Sequence, residues 1–85
     1  GETTVMTELA IKLREFIAED TGMELSEFNE DTELFSEGYI DSFTMTSVIG
    51  WLEEETGISI AQSAVTLENF DTINRMVAFV AREKG

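Results

Sequence analysis

The sequence predicts an all-α protein, a small four-helix bundle made of three longer helices and one short helix. Apolar residues recur every three or four positions in three separate segments, as on the buried face of an amphipathic helix. The chain also contains no Pro, which favours a mostly helical chain. Because 85 residues can enclose one core only, we expect residues 1–85 to form a single domain.

The first helix is predicted over residues 4–19. Thr3 or Thr4 is placed to cap its start, and Gly22 follows its end, where a left-handed residue is favoured. The apolar positions have the spacing of one helical face: Val5, Leu9, Leu13, Phe16 and Ile17.

The periodicity fails from about residue 20 to 41, where the chain is polar and acidic. Because a structureless loop of this length is unusual in a compact domain, we expect it to be functional or held against the helices. Ser26 or Asp31 is placed to begin a single helical turn. The residues spaced to bury the loop are Met23, Leu25, Phe28, Leu34 and Phe35.

The second helix is predicted over residues 42–56, with Asp41 as its N-cap and Gly57 just beyond its end. Its apolar face consists of Met45, Val48, Ile49 and Leu52. Gly50 lies in the middle of this helix at a cost of about 1 kcal/mol relative to Ala. Such a glycine indicates close backbone approach, by another helix or by a partner.

The remaining helices are a short one over about residues 66–70 and a last one over about 72–83. The inward positions of the last helix are Ile73, Met76, Val77 and Val80. Arg82 and Lys84 complement the dipole at its C-terminal end.

The charge is large and unevenly placed. The formal net charge is −13, and no Lys or Arg lies between Glu15 and Asn74, against fifteen Asp and Glu. Such a field repels nucleic acid and anionic lipid and speeds encounter with basic partner surfaces. The alternative is that the acidity only keeps a small protein soluble.

The composition excludes most catalytic and metal chemistry. The chain has no Cys and no His, so it has neither a thiol nucleophile nor the commonest general base and metal ligand. A calcium loop starting at Asp31 fails, because Phe35 takes a ligand position and Ser36 the place of the required Gly. We therefore expect no enzyme and no metal site. Without a long apolar run, we expect a cytoplasmic monomer that binds neither membrane nor nucleic acid.

Ser42 is the candidate functional residue. It occupies the first position of the second helix, directly after Asp41, where side chains tend to be exposed. The positive potential of a helix N-terminus favours an attached phosphate. The alternative reading is that serine is simply a common residue at helix starts.

The whole chain resembles the acyl and peptidyl carrier protein family. The residues that carry the resemblance are Leu34-Phe35, Gly38, Asp41-Ser42-Phe43, Leu52-Glu53-Glu54-Glu55, Gly57-Ile58 and Glu68-Asn69-Phe70-Asp71-Thr72-Ile73. The resemblance implies the helical bundle of that family and a 4′-phosphopantetheine arm on Ser42, taken from coenzyme A by a magnesium-dependent transferase. The thiol of the arm carries an acyl or aminoacyl group as a thioester. Asp41 presents a carboxylate to a basic transferase residue or only caps the helix.

The resemblance also implies which surface meets partner enzymes, namely the second helix and the loop before it, read by Lys and Arg. The outward residues would be Tyr39, Ile40, Phe43, Thr44, Ser47, Trp51, Glu54 and Glu55. The implied partners are a phosphopantetheinyl transferase, an adenylating or acyl-loading ligase or acyltransferase, and a downstream synthase or transferase.

Three residues of the second helix depart from the family pattern. Ser47 stands where many fatty-acid carriers have an acidic residue, and Gly50 replaces a larger apolar one. Trp51 is large for its position, so it either forms an exposed platform for one partner or packs against the first or last helix. We infer partners distinct from those of bulk fatty-acid synthesis.

The cargo is open to several readings. The patterns Leu34-Phe35-x-Glu37-Gly38 and Ile40-Asp41-Ser42-Phe43 resemble discrete aminoacyl carriers, including D-alanyl carriers, as much as polyketide acyl carriers. We expect a carrier of polyketide or nonribosomal-peptide type, as in antibiotic biosynthesis, either free-standing or part of a longer synthase. The alternatives are a D-alanyl or fatty-acid carrier or, in another class, an acidic helical interaction module without a covalent cofactor.

Overall fold

A computed structural model describes residues 2–84, with the side chains of residues 2–5 outside the described part. The elements are α1 (Glu2–Thr21), α2 (Ser42–Thr56), α3 (Leu67–Phe70) and α4 (Ile73–Lys84), with two single turns of 3₁₀ helix at Leu25–Glu27 and Gln62–Ala64. Residues 2–84 include no strand. The predicted all-α bundle of three longer helices and one short helix is thus confirmed.

The helix ends follow local capping chemistry. Helix α1 extends two residues beyond the predicted range at each end, so Thr3 and Thr4 lie inside it and neither begins it. Gly22 ends α1 with a φ of 79°, in the left-handed region that glycine tolerates best. Helix α2 has the predicted bounds, with Gly57 closing it in the same way. Helices α3 and α4 each begin one residue later than predicted.

The core draws on α1, α2, α3, α4 and the long acidic loop. Phe28 and Leu34 of the loop are buried, which holds the loop against the helices. The expectation that Leu25 and Phe35 are buried as well is wrong: Leu25 lies on an outward-facing 3₁₀ turn, and Phe35 lines a cavity beside α2. The buried apolar residues are Leu9, Leu13, Ile17, Phe28, Leu34, Ile40, Met45, Val48, Leu52, Phe70, Ile73, Met76, Phe79 and Val80.

Helix α1 packs against α2 and α4, and α3 packs against α4. The last turn of α4 is tied to the rest of the bundle through its cations. Lys84 Nζ donates to the Thr56 carbonyl at 2.9 Å, and Arg82 donates to Asn69 Oδ1 at 3.0 Å. These bonds join the ends of α2, α3 and α4. No helix within residues 2–84 has both the length and the apolar content that crossing a membrane requires.

Candidate functional site

The start of α2 is organised by Asp41. Its backbone is extended, and its carboxylate accepts a hydrogen bond from the Thr44 N–H at 2.9 Å, as an N-cap does. This bond is the main reason that the pKa of Asp41 lies below its ordinary value. Ser42 is the first helical residue and is exposed, and among the described residues its hydroxyl has no hydrogen-bond partner. The site therefore offers an accessible oxygen at the positive end of a helix.

The segment leading into α2 is a chain of tight turns. The N–H groups of Tyr39 and Ile40 both donate to the Leu34 carbonyl, at 2.8 and 3.0 Å. Gly38 has a φ of 80°, which allows the chain to reverse at this point. The backbone of Leu34 thus holds Tyr39 and Ile40, the two residues before Asp41, in place.

A buried carboxylate from a later segment of the chain supports these turns. Asp71, between α3 and α4, is 1% exposed. It accepts hydrogen bonds from the Phe35 N–H at 3.0 Å, from the Ser36 N–H at 2.9 Å and from the Ser36 hydroxyl at 2.7 Å. Burial opposes ionisation, but the bonds from Ser36 and Phe35, together with the charge of Arg75, hold the pKa of Asp71 below its ordinary value.

Sequence reasoning missed this role of Asp71, which it named only as part of the family motif before the last helix. The available signal was an acidic residue between two apolar residues, Phe70 and Ile73. A carboxylate in such a place is buried at low cost only when it is hydrogen-bonded.

A cavity of about 370 Å³ opens beside Ser42, between α2 and α3. Its walls are mainly apolar, so it can shelter an apolar group attached near the serine. An exposed hydroxyl, a helix N-terminus and an adjoining apolar cavity together fit a phosphate-linked arm. The lining residues are Phe35, Ser42, Met45, Thr46, Ile49, Gln62, Val65, Thr66, Leu67 and Phe70.

A larger hollow of about 680 Å³ lies elsewhere, along α1 and α4, and Ser42 does not line it. Its apolar floor includes Ile11 and Val77, and Glu30 and Asp31 form part of its edge. Of these two cavities, only the smaller one is therefore lined by Ser42.

The predicted partner-binding residues divide into three groups. Tyr39, Glu54 and Glu55 are exposed, and Phe43 is 82% exposed; Thr44 and Ser47 are half-buried. The expectation that Ile40 faces partners is wrong, because its side chain is 6% exposed and belongs to the core. The turn that binds its N–H to Leu34 directs this side chain inward while its neighbours stay outside.

Trp51 packs against the first helix, which was the second of the two positions expected for it. Its ring stacks on Phe16 of α1, with the centroids 5.4 Å apart and the planes at 19°, so it is half-buried at the α1–α2 contact. Gly50 is exposed, and a Cβ built on it would meet nothing within 4 Å. Close approach by another helix of the bundle therefore does not explain this glycine.

Comparison with known proteins agrees with the geometry. The family described as "Phosphopantetheine attachment site" matches residues 12–80, which include α2, the loop before it and α3. The chain is also 26% identical over 77 residues to the acyl carrier protein of Solidesulfovibrio magneticus, across 91% of this chain and 96% of that protein.

A family match over most of the chain decides between the classes of function left open above. The protein is a non-catalytic carrier with a covalently attached 4′-phosphopantetheine, and it serves as a substrate of other enzymes. An interaction module without a covalent cofactor is excluded. The chain belongs to the phosphopantetheine attachment family of acyl and peptidyl carrier proteins.

Proposed function

We propose that Ser42 is the residue that carries the 4′-phosphopantetheine arm. The observation that supports this most directly is the position of its exposed hydroxyl, at the first residue of α2 and at the edge of an apolar cavity. Ser36 is also exposed, but its hydroxyl donates to Asp71. Ser26 lies in a 3₁₀ turn away from the cavity. Among the serines of residues 2–84, only Ser42 is both the first residue of a long helix and part of the cavity lining.

For arm transfer, this chain has to supply only the serine oxygen and a well-positioned helix start. The Ser42 oxygen attacks the phosphorus next to the pantetheine of coenzyme A, the phosphoanhydride bond breaks, and adenosine 3′,5′-bisphosphate leaves. The serine proton passes to a base that the transferase supplies. The attached arm supplies the thiol that a chain without Cys lacks. Asp41 keeps the helix start in place, and its exposed carboxylate remains accessible to a cation of the transferase.

The test is conversion of the purified chain by a broad-specificity phosphopantetheinyl transferase with coenzyme A and Mg²⁺. Intact-protein mass spectrometry is expected to show one added arm, and Ser42→Ala is expected to abolish the addition. Ser26→Ala is the matched control and is expected to keep full modification, because Ser26 is exposed but lies neither in α2 nor in the cavity lining. An arm on the Ser42→Ala protein, or a second arm on the wild type, would contradict the assignment.

Partner enzymes are proposed to dock on the exposed face of α2 and the turn before it. Phe43 offers an uncovered apolar ring one residue from Ser42, and Glu54 and Glu55 offer charge about three turns further along the helix. Tyr39, Thr44 and Ser47 border this face, and Gly50 keeps its centre flat. Ile40 and Trp51 contribute through the fold instead. An apolar socket flanked by Lys and Arg is the matching surface for the transferase, the loading enzyme and the synthase.

The cargo is proposed to be an amino acid or an unusual acyl starter, in a pathway of polyketide or nonribosomal-peptide type. The support is the Ile40-Asp41-Ser42-Phe43 sequence and the absence of an acidic residue at Ser47. The test is to offer the arm-bearing protein to a panel of amino-acid-adenylating, D-alanyl-loading and malonyl-loading enzymes. A hydroxylamine-sensitive mass gain identifies each thioester. Loading by the malonyl enzyme alone would contradict an amino acid or an unusual acyl starter as the cargo.

A further inference from the structure

The Asp71 carboxylate makes long-range hydrogen bonds, and burying its charge has a free-energy cost that these bonds must offset. A buried ionised carboxylate is unfavourable unless donors satisfy it. Here the donors are the Phe35 and Ser36 N–H groups and the Ser36 hydroxyl, 36 and 35 positions away in the sequence. The contact therefore joins two segments that local helix formation would not bring together.

The connection continues from Asp71 to the attachment serine. The Leu34 N–H donates to the Asp71 carbonyl at 2.7 Å, so both the backbone and the side chain of Asp71 hold residues 34–36. The Leu34 carbonyl in turn accepts the N–H groups of Tyr39 and Ile40, the two residues before Asp41 and Ser42. Every step of this path is a hydrogen bond or a neighbouring peptide unit.

The same contact lies next to the lining of the cavity. Phe35, from the loop, and Phe70, from α3, both line the cavity beside Ser42. Ser36 directly follows Phe35 and Asp71 directly follows Phe70, so the Ser36–Asp71 bond joins the residues next to each wall. Loss of the bonds from Asp71 to residues 34–36 would remove the link between these two lining residues.

We propose that Asp71 is a positioning residue, which acts through Ser36 and Phe35 to hold Ser42 at a fixed place and the cavity at a fixed width. This inference rests on the proposed attachment at Ser42. A residue that merely stabilised the fold would affect the whole bundle to the same extent. A positioning residue affects the turn at residues 34–41 and the reactivity of Ser42 more than it affects the rest.

The experiment compares Asp71→Asn, Ser36→Ala and Ser36→Thr with the wild type and with Val80→Ala. Asn keeps the size of the side chain but loses the charge. Ala at position 36 removes one hydroxyl from an exposed residue, and Thr restores it. Val80→Ala is the control for stability alone, because Val80 is fully buried in α4 and does not line the cavity.

Two quantities are measured well below the lowest Tm of the set. The first is amide hydrogen exchange at Phe35, Ser36, Tyr39 and Ile40, which does not depend on the attachment reaction. The second is kcat and KM for arm transfer from coenzyme A by the transferase. In Asp71→Asn and Ser36→Ala we expect exchange about tenfold faster at these amides and kcat about fivefold to tenfold lower. Ser36→Thr and Val80→Ala are expected to match the wild type in both.

The outcomes separate the two proposals. If the wild type acquires no arm at Ser42, the proposed attachment fails, while the exchange data still test the hydrogen-bonded turn. If the wild type is modified and both Asp71→Asn and Ser36→Ala match it in exchange and kcat, the positioning role of Asp71 is wrong. An equal loss in Val80→Ala would likewise reduce Asp71 to a stabilising residue. Should Asp71→Asn fail to fold, the Ser36→Ala and Ser36→Thr pair decides alone.

Discussion

In two regions of the molecule an aspartate carboxylate accepts backbone N–H groups, but the donors lie at very different distances along the sequence. At the start of α2, the exposed Asp41 accepts an N–H from Thr44, three positions away. Between α3 and α4, the buried Asp71 accepts N–H groups 36 and 35 positions away. Both carboxyls have a lowered pKa. The first aspartate orders one helix end, whereas the second ties distant segments together, so loss of the second is expected to cost more.

The largest expected effect is on stability at the buried aspartate. Asp71→Ala leaves the Phe35 and Ser36 N–H groups without their acceptor, so we expect the free energy of unfolding to fall by about 2 kcal/mol. Asp41→Ala removes an exposed cap and is expected to cost less. Urea denaturation of both variants measures the difference, and an equal loss would erase the distinction between the two regions.

The contribution of Asp71 to stability is also expected to depend on pH. The pKa of Asp71 in the folded protein lies below its ordinary value of 3.8, so its contribution to stability is complete at neutral pH. The contribution disappears as the pH falls through the folded pKa, because protonation removes the charge that the donors and Arg75 stabilise. We expect the stability difference between wild type and Asp71→Asn to shrink below about pH 5. A pH-independent difference between the two unfolding curves would contradict this.

A substitution at Gly50, in the exposed region, is expected to raise stability rather than lower it. Because a Cβ at this position meets nothing within 4 Å, Gly50→Ala is expected to stabilise α2, by up to about 1 kcal/mol. If partners approach the flat centre of this face, the same change raises KM for the loading enzyme. Thermal unfolding and loading kinetics check the two effects separately. An unchanged KM would show that partners do not use this glycine.

The smallest effect on stability is expected at the acidic end of α2. Glu54→Lys with Glu55→Lys is expected to change the free energy of unfolding by less than about 0.5 kcal/mol, since both side chains are exposed. Arm transfer and loading are expected to slow by about tenfold at low salt, and by less at high salt. Glu19→Lys with Asp20→Lys is the matched control, with the same charge change on α1. Equal slowing in both pairs would indicate a general charge effect rather than a docking face.

The features that the sequence predicted well are those that depend on neighbouring residues. The bounds of α2 follow from Asp41, from the apolar spacing and from Gly57, all within reach of one helix. The end of α1 at Gly22 follows in the same way, apart from two residues. The family resemblance extended this reading to the bundle as a whole and to the covalent cofactor, and both are confirmed.

The features that the sequence did not predict depend on distances in space. Burial of Ile40 results from a turn whose hydrogen bonds close on Leu34, and helical spacing does not describe that turn. The choice between an exposed and a packed Trp51 depends on where Phe16 of α1 comes to lie. The bonds between Asp71 and Ser36 join residues separated by all of α2 and α3, so no local sequence pattern predicts them.

The Phe16–Trp51 stack has a practical consequence for studies of this carrier. Trp51 is the only tryptophan in the chain, so fluorescence excited at the red edge of its absorption comes from one indole at a defined contact between two helices. Its emission reports the separation of α1 from α2 without any added dye. A cargo that enters between α2 and α3 and pushes α2 toward α1 would therefore change the colour or intensity of that light in real time.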